Sequence, residues 1–127
     1  MTTMNQTDSK NETRTPTLSG IHHVTAITAN AQQNIDFYTG VLGLRLVKVT
    51  VNYDDPSSYH LYYGDGLGRP GTILTFFAYP EAGRGRLGTG QVSETAFAVP
   101  VGAREEWQKR LAARGVAEIA RETRLGT

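Results

Sequence analysis

Cysteine is absent from the 127 residues of the chain. Its absence excludes disulfides, thiolate metal sites and cysteine nucleophiles, and it fits a reducing compartment. Acidic and basic side chains nearly cancel, for a net charge of +1, so composition makes no electrostatic case for nucleic acid. No run approaches the roughly 18 apolar residues of a membrane span. Residues 1–18 are polar, rich in Thr, Asn and Ser, and lack the apolar centre of a signal peptide. They read as a disordered leader. The default expectation is a soluble cytoplasmic protein without membrane or nucleic-acid partners. A Gly-x-Ser-x-Gly nucleophile turn is missing. The glycine-rich stretch Gly64 to Gly71 lacks the Gly-Lys-Ser/Thr ending of a phosphate loop and leads into a strand. Histidine is scarce too, with three in all, at His22, His23 and His60.

Residues 19–80 carry the clearest pattern. Gly20 to Thr28 is rich in β-branched residues and predicts a strand. Asn30 is a candidate helix cap, and Ile35, Tyr38, Val41 and Leu42 follow helical spacing, so a helix is expected over Ala31 to Leu42, weakened and ended by Gly40 and Gly43. Strands are expected over Leu44 to Tyr53, Tyr59 to Gly64 and Thr72 to Tyr79. The order is β-α-β-β-β. Residues 81–90 form a Gly/Arg-rich linker. Residues 91–127 restart the pattern, with a strand over Gln91 to Val99, an amphipathic helix over Arg104 to Arg114 carrying Trp107, Leu111 and Ala112, and a strand from Val116 to Thr123. The expected class is α+β, with βαβββ modules forming a cupped mixed sheet and the second module incomplete. A lone sheet edge needs cover. The expectation is therefore a longer protein with a C-terminal half beyond this chain, or completion by a homodimer.

Strand alternation sorts the candidate site residues. His23 and Thr25 share a face with Ile21 and Ile27, whereas His22 falls with Val24 and Ala26. On that reading the two histidines cannot act side by side on one metal. His60 and Tyr62 share one face of their strand, Tyr59 and Leu61 the other. A histidine or tyrosine on a strand is commonly a hydrogen-bonded polar residue and nothing more. Imidazole is nevertheless the common ligand of non-haem iron, which takes two His and one carboxylate. If the two modules are related by pseudo-symmetry, Glu94 occupies the slot of His23, although a solvent-facing residue on an edge strand is the more common explanation. Tyr59, Tyr62, Tyr63, Phe76, Phe77 and Tyr79 offer an aromatic lining or a core.

The pair His22-His23 with Thr25, the helix with Asp36-Phe37-Tyr38 and Leu42-Gly43-Leu44, and the run Tyr59-His60-Leu61-Tyr62-Tyr63-Gly64-Asp65 with Pro70-Gly71-Thr72 and Leu74-Thr75-Phe76-Phe77 resemble the vicinal oxygen chelate superfamily of glyoxalases, bleomycin-resistance proteins and dioxygenases. The resemblance is closest to ring-cleaving dioxygenases of the hydroquinone type. It implies Fe(II), or another divalent metal, with His23 as one ligand. His22 and Thr25 would take catalytic roles around the metal, and His60 and Tyr62 would stand in the substrate pocket. The remaining His and Glu ligands would come from a later part of the family's chain. Thr75 stands near where glyoxalases carry a ligand Glu. The implied partners are an aromatic substrate and O2. Two other functions stay open: a glyoxalase-like metal-dependent lyase or isomerase, and a non-enzymatic module binding aromatic or drug-like molecules.

Overall fold

In the computed structural model, residues 17–118 are described. The leader expected over residues 1–18 therefore lies almost wholly outside them, as does most of the strand expected from Val116 to Thr123. Four strands form one mixed sheet: β1 (His23–Thr28), β2 (Arg45–Val51), β3 (Tyr59–Gly64) and β4 (Ile73–Ala78), in the spatial order β1-β4-β3-β2. β1 runs parallel to β4, and the β3–β4 and β2–β3 pairs are antiparallel. The sheet is open.

Alternation divides its faces. Val24, Ala26, Leu46, Leu61, Tyr63, Leu74 and Phe76 turn inward to form the core. The first helix covers this face, with Ala31, Ile35 and Tyr38 packed on it. Asn30 opens that helix by accepting from the Gln33 amide at 3.0 Å. Asn30→Ala should cost about 1 kcal/mol. A urea midpoint unchanged in that variant would show that packing alone holds the helix start.

The helix differs from the regular one expected over Ala31 to Leu42. It is α-helical only over Ala31–Ile35 (α1) and continues as a π-helical segment over Asp36–Val41. The wide turn is visible in the bond from the Leu42 amide to the Phe37 carbonyl, 3.0 Å. Thr39 bonds back to the Ile35 carbonyl at 2.7 Å, as hydroxyls within helices do. Apolar spacing does not distinguish a π turn from an α turn over so short a run. Gly43 then reverses the chain at φ 73°, where any side chain would be strained.

Two further expectations are corrected. The second strand does not alternate cleanly, because a bulge between Leu46 and Lys48 inserts Val47. Gln91 to Val99, expected as a strand, makes no ladder. The stretch is irregular and exposed, with Glu94 on it. Its backbone pairs with no strand among the described residues, and without a partner an extended segment is not a β-strand. The helix over Arg104–Ala113 (α2) forms where expected. It is less amphipathic than its sequence suggests: Trp107 and Leu111 are half-buried, but Ala112 is exposed. α2 is tied to the rest through charge. Arg110 and Arg114 donate to the Val41 and Gly40 carbonyls at 2.8 Å each, meeting the acceptors left open at the end of the π turn. No described helix is long and apolar enough to cross a membrane.

Candidate functional site

The face of the sheet opposite the first helix carries the polar residues. Cross-strand register places Thr25 opposite Thr75, Thr75 opposite Tyr62 and Tyr62 opposite Lys48, one rung through all four strands. The next rung carries Ile27, Phe77, His60 and Thr50. His23 lies on the same face, one alternate position before Thr25. Four of the candidate residues, His23, Thr25, His60 and Tyr62, therefore share this face.

Their hydrogen bonds form a continuous chain. The Tyr62 hydroxyl lies 2.9 Å from His60 Nδ1. His60 Nε2 lies 3.1 Å from the Thr75 hydroxyl, which lies 2.8 Å from that of Thr25. Thr75 is 0% exposed, so its hydroxyl is satisfied only by these partners. The His60 ring also stacks on Phe77 with centroids 4.0 Å apart, and on Tyr62 at 4.1 Å. The Lys48 ammonium sits 5.6 Å from the centre of the Tyr62 ring, a cation–π contact. Burial, followed by the charges of His23 and Lys48, holds His60 below the ordinary histidine value. The ring is thereby kept neutral near pH 7.

His22 does not behave as alternation predicts. β1 begins only at His23, so His22 is not bound to the strand's two-residue period. Its ring turns onto that of His23, edge to face, with the two Nδ1 atoms 3.1 Å apart. The expectation that the two histidines face opposite ways is thus corrected. One Nδ1 must donate and the other accept. If His23 donates, its Nε2 keeps a lone pair turned away from His22, the state a metal ligand needs.

The donor set can be weighed against a divalent metal on this geometry. His23 offers one imidazole. His60 does not offer a second, because both of its ring nitrogens are engaged by Tyr62 and Thr75. Among the described residues no three His, Cys, Asp or Glu side chains come together. These residues can supply a ligand but do not close a metal site.

Sequence reasoning missed the centrality of Thr75, noted only as standing where a glutamate is found elsewhere. The signal was available in principle, since a threonine amid Leu74, Phe76 and Phe77 on a central strand places a hydroxyl where water is excluded. Beside this face, between the start of β1 and α2, lies a mainly apolar cleft of about 750 Å³ bounded by Ile21, Leu44, Phe97, Trp107 and Leu111.

Known proteins resemble this chain in sequence and fold. The profile of the Glyoxalase/Bleomycin resistance protein/Dioxygenase superfamily matches residues 20–127. Over 92 residues the chain is 60% identical to MhqO of Bacillus subtilis (strain 168), provisionally named a ring-cleaving dioxygenase, covering 72% of this chain and 30% of that protein. Over 111 residues it is 41% identical to a chlorohydroquinone/hydroquinone 1,2-dioxygenase of Sphingobium indicum, covering 86% of this chain and 35% of that one. The chain thus spans about a third of the length of these relatives. A crystal structure of a provisionally named dioxygenase from Bacillus subtilis superposes with a TM-score of 0.80 at 55% identity, over 84% of this chain and 34% of that chain. With the profile covering most of its length and the fold matched at high identity, the chain belongs to the Glyoxalase/Bleomycin resistance protein/Dioxygenase superfamily.

Proposed function

We propose that this chain is a module of a ring-cleaving, extradiol-type dioxygenase acting on hydroquinone- or catechol-like aromatics with O2. The observation that carries this reading is the polar strip His23, Thr25, Thr75, His60 and Tyr62 on one open sheet face, flanked by Phe77. The names of its relatives point the same way. His23 is one ligand of a divalent metal, Fe(II) in this reading, and His22 holds its tautomer. The other ligands lie outside the described residues, in a further part of the protein or in a second copy of the chain. When bound, such a metal brings a phenol oxygen and O2 together and lowers the phenol's proton affinity. The chain's own part is to present Thr25 and Tyr62 as hydrogen-bonding groups and Phe77, backed by the stacked His60 ring, as a flat surface for an aromatic ring.

Anaerobic titration with Fe(II) tests this. Binding that saturates at one metal per chain or per dimer, weakened at least about tenfold in His23→Ala, is the expected result. Oxygen uptake with hydroquinone should follow the metal. Binding that is weak and identical in both proteins would remove His23 from the metal and leave a second reading, a binding module for aromatic molecules without chemistry.

A further inference from the structure

The chain of hydrogen bonds from Thr25 to Tyr62 has a property that its members do not have singly. Each of its four groups can both give and take a hydrogen: three hydroxyls and one neutral imidazole. The spacings, 2.8, 3.1 and 2.9 Å, are all within hydrogen-bonding reach. The middle is sheltered and the ends are not. Thr75 is completely buried and His60 half-buried, whereas Thr25 at one end is exposed and Tyr62 at the other is partly so. Such a chain has two self-consistent polarities. In one, Thr25 donates to Thr75, Thr75 to His60 Nε2, and His60 Nδ1–H to Tyr62. In the other every bond is reversed, and His60 carries its hydrogen on Nε2.

From this geometry we infer that Thr25, Thr75, His60 and Tyr62 form a proton wire, passing a proton between a hydroxylic ligand on the open face and solvent at the Tyr62 end. The step balances without an external oxidant or reductant. Starting from the first polarity, the ligand hydroxyl gives its proton to Thr25 Oγ1. Thr25 gives its own to Thr75 and Thr75 gives its own to His60 Nε2. His60 Nδ1–H passes to the Tyr62 oxygen, and the Tyr62 proton leaves to water. The ligand is left as an oxyanion, water as hydronium, and every wire member neutral in the second polarity. Rotation of the hydroxyls and a tautomer change at His60 reset it. Hydrogen bonding for strand pairing alone does not require this. Backbone ladders already join β1, β4 and β3, and a valine at Thr75 would fill the same volume. A phenol as the wire's ligand rests on the proposed dioxygenase reading, but the wire itself does not.

Its test therefore needs neither metal nor substrate. Long-range proton–nitrogen correlation NMR of the ¹⁵N-labelled full chain, at a pH where His60 is neutral, reads the state of both ring nitrogens. Exchange between the two polarities places both at shifts intermediate between protonated and unprotonated nitrogen. Thr75→Val should abolish that averaging and leave one protonated and one bare nitrogen, with the amide spectrum still dispersed. If Thr75→Val does not fold, Tyr62→Phe cuts the opposite end and should abolish the averaging in the same way. A single fixed His60 tautomer in the unaltered chain overturns the wire, as does averaging that persists when either end is cut. Neither result bears on whether His23 binds metal, so the two readings fail separately.

Discussion

Phe76→Ala should lower the unfolding free energy by about 3–5 kcal/mol, the loss typical of a buried phenylalanine. Phe76 is 7% exposed and stands in the middle of the inward face. Its ring lies 4.9 Å from that of Tyr38 on the first helix and 6.0 Å from that of Tyr63 on β3. Removing it breaks the contact between helix and sheet and leaves a void that the two rigid rings beside it cannot collapse to fill. The effect is large against the whole, because the fully buried apolar core of the described residues is small: Leu61, Tyr63, Leu74, Phe76 and Ala78. Net stabilities near 5–15 kcal/mol leave little reserve for such a loss. Urea unfolding followed by circular dichroism measures it. Ile27→Ala, on the open face and 63% exposed, is the control and should stay within about 0.5 kcal/mol of the unaltered chain. If the Phe76 variant unfolded at the same midpoint as the control, the assignment of the inward face would be wrong.

That face was legible in the sequence. Dense β-branched and aromatic runs bounded by glycine and proline mark β1, β3 and β4 to within a few residues, and Asn30 marks the helix start by its side-chain chemistry. The features that escaped depend on what lies across space. The bulge at Val47 is a matter of register with β3, which a single strand's alternation does not contain. The π turn over Asp36–Val41 differs from an α turn by one residue per bond, too little for apolar spacing to reveal. Gln91 to Val99 has strand composition but joins no ladder among the described residues, and pairing rather than propensity makes a strand. His22 was misplaced because alternation was extended one residue beyond where the ladder begins. The candidate residues were separable by face from sequence, but their order along the rung was not. Only the pairing of Thr25 with Thr75 and of Thr75 with Tyr62 turns four dispersed polar residues into one connected chain.

Alkali should unfold this protein through Tyr63. The Tyr63 ring is 0% exposed, and its hydroxyl donates to Asn34 Oδ1 at 2.7 Å. Burial, then the neighbouring Tyr38, pushes the phenol up to about 12 from an ordinary 10.0. The folded state therefore holds this proton more tightly than the unfolded chain does. The associated stability is fully present below pH 10.0 and is lost as pH rises towards about 12. A rise of that size corresponds to roughly 3 kcal/mol. Tyr38, also raised by burial, adds loss in the same direction. Denaturant midpoints measured from about pH 9 to about pH 12 should thus fall steeply. Tyr63→Phe separates the contributions. At neutral pH it is less stable by about 1–3 kcal/mol, because Asn34 Oδ1 loses its buried donor. Across the alkaline range its decline should be distinctly shallower, with only the Tyr38 part remaining. An alkaline slope as steep in Tyr63→Phe as in the unaltered chain would mean that the Tyr63 proton is not what the fold protects. The linkage would then have to be sought in the lysines and the remaining tyrosines.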